Sequence, residues 1–144
     1  MNYNEIKVIL KNVLDKESEK FDKPTETEWE ELSKFLNCTF SNEFKYFIEF
    51  MSEWSFPGDI YNVSKGNTNG NDSIEEVYKY EMKNGNWKSS MIPFYGIGNG
   101  DYFCLNSNEG SQSKVYYYYE DKDSFEVYCD SFENWLKDLP EFLT

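Results

Sequence analysis

Three closely spaced glycines are the residues of this sequence whose type and spacing most resemble a site for chemistry. They lie at Gly96, Gly98 and Gly100 in the run FYGIGNGDYFCLN, residues 94–106. Such a run either cradles a phosphate with backbone amides or turns one β-strand back on the next. A phosphate loop leads into a helix, and its P-loop form carries a lysine and a hydroxyl residue, whereas DYFCLN follows here. We therefore expect a tight hairpin and no nucleotide or phosphate site.

Acid and base chemistry would have to come from neighbouring carboxylates, such as Glu30 with Glu31 or Asp121 with Asp123. Neighbouring acids on a helix or turn are far more often solvated side chains than a catalytic pair. The sequence has no histidine, and its 14 basic residues are all lysine. This composition excludes Ser-His-Asp and Cys-His nucleophiles, histidine-ligated metals and arginine forks for phosphate. We expect a protein that is not an enzyme and has no small-molecule substrate.

The polar run SKGNTNGNDS and the three cysteines do not indicate a metal or cofactor either. The run, residues 64–73, is predicted to be a loop; it lacks the alternating carboxylates and closing glutamate of a calcium site. Cys38, Cys104 and Cys129 are odd in number, contain no CxxC pair and lie in apolar or strand-like segments. We expect reduced core thiols, a cytoplasmic location, and no catalytic, metal-binding or cofactor-binding residue.

The sequence is strongly acidic, with 27 acids, 14 lysines and a formal charge of −13. The excess lies in two blocks: residues 21–60 carry nine acids and three lysines, and residues 101–144 carry ten and three. This field repels nucleic acid and anionic membranes and speeds the docking of basic proteins. Charges also interrupt the apolar residues at the N-terminus, which predicts neither a signal peptide nor a membrane span. We expect no nucleic-acid or membrane partner.

Hydrophobic periodicity predicts the elements that must position these residues. Apolar residues three and four apart predict three N-terminal helices: one over residues 3–20, a second capped by Thr25 and a third capped by Ser41. A short strand at residues 60–63 and a helix capped by Ser73 follow. The first half of the chain is therefore predicted to be mostly helical.

The second half of the chain predicts a sheet. The runs SMIPFYGIG, DYFCLNS, SKVYYYYED and SFEVYCDS are separated by glycine, asparagine and acidic turns, as in an antiparallel meander. A last helix, capped by Asp130, carries Phe132, Trp135 and Leu136 on its buried face. The predicted fold is a single α+β domain over residues 1–144, with N-terminal helices packed on a mainly antiparallel β-sheet and a C-terminal helix.

The order of these motifs resembles the SUKH superfamily, a domain of many bacterial immunity proteins and of a fungal regulator of cell-wall assembly. The resemblance rests on MIPFYGIGNGDYFCLN followed by KVYYYYEDKDSFEVYCDSFENWLKDL, and it covers roughly residues 25–140. The segment NEFKYFIEFMSEW occupies the place of a family helix, although Ser52 to Ser55 replace the usual Asn-Gly after it. The resemblance implies a SUKH-like α+β fold.

Within the matched motifs, the resemblance gives most residues a structural role. Gly98 and Gly100 form the turn, Asp101 caps or braces it, and Tyr102 and Phe103 point to opposite faces of the sheet. Phe132 and Trp135 belong to the Ser-Phe-x-x-Trp-Leu start of the last helix.

The resemblance also implies protein binding without chemistry. In toxin systems that use this domain, each immunity protein binds its own polymorphic toxin, commonly a nuclease, and blocks it inside the producing cell. The acidic charge favours this role, because a nuclease site that holds a phosphate backbone is basic. The alternative is a regulatory or scaffold module of the same fold that binds another cellular protein.

The contact candidates for a basic toxin are five acidic residues in two places. Glu53 and Asp59 lie beside the first predicted strand, and Glu120, Asp121 and Asp123 follow the tyrosine strand. In the VYYYY segment of that strand, alternation predicts two tyrosines toward the core and two outward, where a tyrosine suits either an interface or an ordinary sheet surface.

Overall fold

The computed structural model describes residues 1–16, 22–55, 58–64 and 73–143. The α-helices are α1 (Tyr3–Leu10), α2 (Glu26–Leu36), α3 (Asn42–Phe50), α4 (Ile74–Asn84) and α5 (Phe132–Phe142). The strands are β1 (Asp15–Lys16), β2 (Trp54–Ser55), β3 (Asp59–Ile60), β4 (Met91–Gly96), β5 (Tyr102–Asn106), β6 (Val115–Tyr119) and β7 (Ser124–Cys129). A 3₁₀-helix covers Ser107–Gln112.

The larger sheet is an antiparallel meander in which β3, β4, β5, β6 and β7 are neighbours in sequence order. β1 and β2 pair separately, with Asp15 opposite Ser55. The predicted α+β fold, with N-terminal helices, an antiparallel sheet and a C-terminal helix, is confirmed. Local sequence signals start three of the helices, because Thr25, Ser41 and Ser73 each accept a backbone N–H three residues on.

The main core lies between the helices and one face of this sheet. Trp135 of α5 is 1% exposed, and its ring lies 5.1 Å from Phe94, 5.4 Å from Phe103 and 5.5 Å from Phe47. A register shift between β4 and β5 at Pro93–Tyr95 turns Phe94 and Tyr95 both toward this core, as a bulge does. The buried stripe predicted for the last helix is confirmed.

A second, smaller cluster covers the opposite face of the sheet. Trp87 follows α4, and its ring lies 4.9 Å from Tyr118, 5.0 Å from Phe125 and 5.7 Å from Tyr102. Its indole N–H donates to the Met91 carbonyl at 2.9 Å. The loop after α4 is therefore anchored on the sheet by one aromatic ring and one hydrogen bond.

Two predicted N-terminal elements are shorter in the structure. The first helix, predicted over residues 3–20, ends at Leu10, because Asp15–Lys16 pairs instead with β2, a contact between segments far apart in sequence. Residues 17–20 of this prediction lie outside the described residues. The strand predicted at 60–63 covers only Asp59–Ile60, since Asn62 instead bridges to Ser73 at the start of α4.

The cap of the last helix also differs from the prediction, by one residue. Ser131, not Asp130, is the N-cap of α5, and its hydroxyl accepts the Asn134 N–H at 3.1 Å. An N-cap is the residue just before the first helical turn, and its backbone is still extended. Ser131 has this conformation and position. Most of the predicted polar loop lies outside the described residues, since the structure describes only residues 64 and 73 of it.

Candidate protein-binding cleft

The glycine run forms the tight connection between β4 and β5. Gly98 and Gly100 have φ values of +99° and +95°, which side chains rarely adopt. The Ile97 N–H donates to the Asp101 carbonyl at 3.3 Å, and the Asn99 side chain accepts the Asp101 N–H at 3.0 Å. A strand follows the glycines, so their amides do not lead into the helix N-terminus that a phosphate loop uses.

Asp101 fastens this turn to the end of β6. Its Oδ1 accepts the Glu120 backbone N–H at 2.8 Å, and its Oδ2 accepts the Tyr117 hydroxyl proton at 2.7 Å. Burial and this hydrogen bond raise the pKa of Tyr117 well above its usual value. The β4–β5 and β6–β7 turns are consequently joined to each other at one end of the strands, and this end of the sheet is here called the turn end.

Four of the five predicted contact residues lie at the turn end. Glu120, Asp121 and Asp123 occupy the β6–β7 turn and are exposed. Asp59 starts β3 opposite Gly96, at the same end of the sheet. Three inter-strand spacings separate β3 from β6, or about 14 Å.

Glu53 lies elsewhere, on the helical layer. It follows α3, where its carboxylate and that of Glu49 raise the pKa of the Tyr3 hydroxyl on α1, in addition to the larger effect of burial. The structure therefore groups the three acids of the β6–β7 turn, places Asp59 at the same end of the sheet, and places Glu53 beside α1.

A cleft of about 450 Å³ opens at the turn end, between the C-terminal part of α4 with its following loop and the adjoining ends of β5 and β6. It combines aromatic rings with carboxylates. The aromatic side chains that line it are Tyr80, Trp87, Tyr102 and Tyr118. The carboxylates that line it are Glu81, Glu120 and Asp123.

Two of these carboxylates are held by tyrosine hydroxyls of the sheet. Glu81 accepts the Tyr102 hydroxyl proton at 2.6 Å, and Asp123 accepts the Tyr118 hydroxyl proton at 2.7 Å. Burial raises the pKa of Tyr118, and the charges of Asp123, Glu81 and Glu120 raise it further. All three carboxylates therefore act on one phenol, which places them around the same space.

The third carboxylate is positioned by the glycine turn. A Cβ added at Gly100 would lie 2.6 Å from a carboxylate oxygen of Glu120, so an alanine there would push this side chain aside. Asp123 itself has a φ of +47°, a left-handed conformation that aspartate tolerates better than most residues. The β6–β7 turn thus carries Glu120 and Asp123 into the cleft, whereas Glu81 is carried by α4.

Nothing basic among the described residues neutralises the cleft. No lysine lines it, and none of its three carboxylates forms an ion pair with a described residue. Lys122, in the same turn, lies instead over the Tyr119 ring at 5.0 Å. Lys88 lies over the Phe125 ring at 6.0 Å. The cleft therefore carries concentrated negative charge beside aromatic surface.

Sequence reasoning identified Glu120 and Asp123 but missed the α4 side of the cleft. Glu81 and Trp87 were not predicted as site residues, although a single tryptophan in the polar run NGNWKSS is unusual enough to indicate a role. The tyrosines of β6 alternate between the two faces as predicted, but the face predicted to point outward is covered, because Tyr118 is 7% exposed within the second cluster. Its neighbour Tyr117 faces the main core.

The fold is an α+β domain in which the helices and the main core cover one face of an antiparallel meander, and the end of α4 with its loop borders the cleft on the other face. The chain belongs to the SMI1-KNR4 cell-wall family of the SUKH group, whose family model matches residues 4–143. This match extends further toward the N-terminus than the motifs alone. No curated protein matches the chain.

Two further searches of the described residues concern membranes and metals. None of the described helices has the length and apolar character needed to span a bilayer. Within the same residues, no three His, Cys, Asp or Glu side chains are grouped so as to hold a metal ion. The described cysteines are free thiols; Cys38 and Cys104 are buried, whereas Cys129 is partly exposed.

Proposed function

We propose that this protein is a cytoplasmic immunity protein that binds a cognate polymorphic toxin and neutralises it by direct contact. The SUKH group to which the chain belongs includes immunity proteins. The observation that carries the proposal is the cleft at the turn end, with three carboxylates that no described lysine neutralises. An acidic recognition surface is complementary to a basic toxin.

The proposed mechanism is occupancy and requires no catalytic residue in the inhibitor. A nuclease-type toxin must present a basic surface to hold a phosphate backbone. An acidic partner that covers this surface excludes the substrate, and its charge accelerates the encounter. The proposed central contacts are Glu120, Asp121 and Asp123, and Asp59 also lies at the turn end. Glu53 remains a proposed contact only for a toxin that also reaches the helical layer.

Co-expression with the neighbouring toxin-like gene tests this function. Cells that produce the toxin domain should survive only when this protein is present, and the two chains should co-purify as a one-to-one complex at low salt. If cells die equally with and without the protein, and no complex forms, the immunity role is wrong. A regulatory or scaffold role in the same family, with another cellular protein as partner, then takes its place.

A charge-reversal pair tests the proposed surface. Glu120→Lys with Asp121→Lys should slow association with the toxin and flatten its salt dependence, because steering by long-range charge is lost. The matched control is Glu26→Lys with Glu30→Lys on α2, where both side chains are also exposed. Equal slowing by both pairs would mean that only net charge matters and that the turn end is not the contact surface.

A further inference from the structure

We infer that the cleft receives one cationic side chain, a lysine or arginine that projects from the partner protein; this inference rests on the proposed protein-binding function. The occupant is thus an ammonium or guanidinium group on an apolar stem. Glu81, Glu120 and Asp123 would surround the charge, while the rings of the cleft contact the stem. The contact is an anchoring interaction at the centre of a larger interface.

The concave shape is the first argument. At about 450 Å³ the cleft lies within the range of volumes found for ligand-binding clefts. The Tyr102 and Tyr118 rings lie stacked with centroids 6.0 Å apart, and Trp87 packs across both. Because Tyr102 and Tyr118 belong to neighbouring strands, the sheet holds these rings in position before a partner binds.

The chemistry of the walls is the second argument. Aromatic faces attract cations and also accept the apolar stem of a long side chain. Carboxylates bind ammonium and guanidinium groups through charge-assisted hydrogen bonds. Of the common side chains, only lysine and arginine combine a cation with a long apolar stem, so they satisfy both kinds of wall.

Preorganisation is the third argument. Tyrosine hydroxyls hold Glu81 and Asp123, and Glu120 lies against Gly100. Three carboxylates therefore line one cleft without a counter-charge among the described residues. A cation that enters supplies this counter-charge, and the two carboxylates held by tyrosine hydroxyls lose little conformational freedom when it binds.

A peptide titration of the full chain, labelled with ¹⁵N, tests the inference. The probes are capped hexalysine and hexaarginine, with capped hexaglutamine as the neutral control. At low salt, either basic peptide should shift the amide signals of Gly100 and Glu120 and the indole N–H signal of Trp87. Hexaglutamine should leave all three unchanged.

Two double variants of equal net charge separate the cleft from the general field. Glu120→Gln with Asp123→Asn removes two of the three charges of the cleft while keeping acceptor oxygens, so the Tyr118 hydroxyl retains its partner. Glu30→Gln with Asp130→Asn removes the same charge at exposed positions that neither line the cleft nor belong to the proposed contacts. We expect the first pair to weaken peptide binding at least tenfold and the second less than threefold.

A third variant tests the aromatic wall without altering charge. Tyr80 is 62% exposed at the rim of the cleft, so Tyr80→Ala should preserve folding and still weaken binding a few fold. Equal weakening by the two double variants, or peptide-induced shifts spread evenly over the surface, would overturn the inference. So would basic peptides that shift no signal of the cleft.

The failure of this inference is distinguishable from failure of the proposed function. If the toxin binds the cleft variant and wild type with equal affinity, the cleft is not the anchor, yet the immunity role stands. If basic peptides occupy the cleft but the toxin-like protein forms no complex, the anchor chemistry stands and the partner is a different basic protein.

Discussion

Removal of the Asp101 carboxylate should disconnect the two turns that form the turn end. In the wild type this carboxylate accepts one backbone N–H from Glu120 and one hydroxyl proton from Tyr117, both at 2.8 Å or less. A hydrogen bond to a charged group contributes about 1.5–3 kcal/mol to stability. Because Asp101 is partly exposed, water can replace some of the lost partners, and we expect Asp101→Ala to cost about 2–3 kcal/mol.

Urea unfolding at neutral pH measures this cost, since a loss of stability lowers the midpoint while the slope is unchanged. Asp121→Ala is the matched control: it removes the same charge from an exposed side chain in the adjacent turn. It should change stability by less than about 0.5 kcal/mol, as is usual for surface sites. Asp101→Asn keeps one acceptor and should fall between the two.

Two results would refute this reasoning. Equal midpoints for Asp101→Ala and Asp121→Ala would mean that the bridge contributes nothing to stability. An additive double variant of Asp101→Ala with Tyr117→Phe would also contradict it, because residues that share a hydrogen bond should show a coupling energy of at least about 0.5 kcal/mol.

Three further outcomes are expected from the packing, the backbone and the titrating groups. Trp135→Ala, at a 1% exposed site, should lower the free energy of unfolding in urea by about 3–5 kcal/mol. Phe142→Ala, at a 40% exposed site, should lower it clearly less. Equal losses of stability would contradict the observed packing. Gly98→Ala and Gly100→Ala should each destabilise the protein by about 1 kcal/mol or more in the same measurement, because both positions have a positive φ, and no loss at either would contradict the turn geometry. Burial and a neighbouring carboxylate raise the pKa of Tyr128 to about 12, so its contribution is complete below pH ~10 and is lost as the pH rises toward 12. Tyr128→Phe should therefore make the urea midpoint less sensitive to pH in that window, and an unchanged profile would refute this.

Local sequence signals correctly predicted the elements whose stability depends on nearby residues. Thr25, Ser41 and Ser73 identified helix starts, because a cap bonds to the backbone only three residues away. The glycine run indicated a turn, because the freedom to adopt a positive φ is a property of the glycine residue itself. The first helix was predicted too long, since Asp15 and Lys16 pair instead with β2, a strand far along the chain that no local pattern indicates.

The residues of the candidate site also divide into those that the sequence identified and those that only packing brings together. Acidic residues after the tyrosine strand were identifiable from the sequence, because charge and turn position are local properties. The contribution of Glu81 and Trp87 was not, because they become neighbours of that turn only when α4 and its loop pack on the sheet. The linear pattern assigned Glu53 and Asp59 a common role, but the structure places Glu53 beside α1 and Asp59 at the turn end.

The sequence by itself determined the fold class, the family and the acidic character of this protein, because periodicity, motif order and charge are all encoded in short stretches of chain. Only the tertiary structure decided that three acids share a concave, aromatic cleft. The meander sets the neighbours of β6, and the bonds of Asp101 join the two turns. The distance between the carboxylate of Glu81 on α4 and that of Glu120 after β6 depends on packing between segments far apart in sequence, and no local pattern records it.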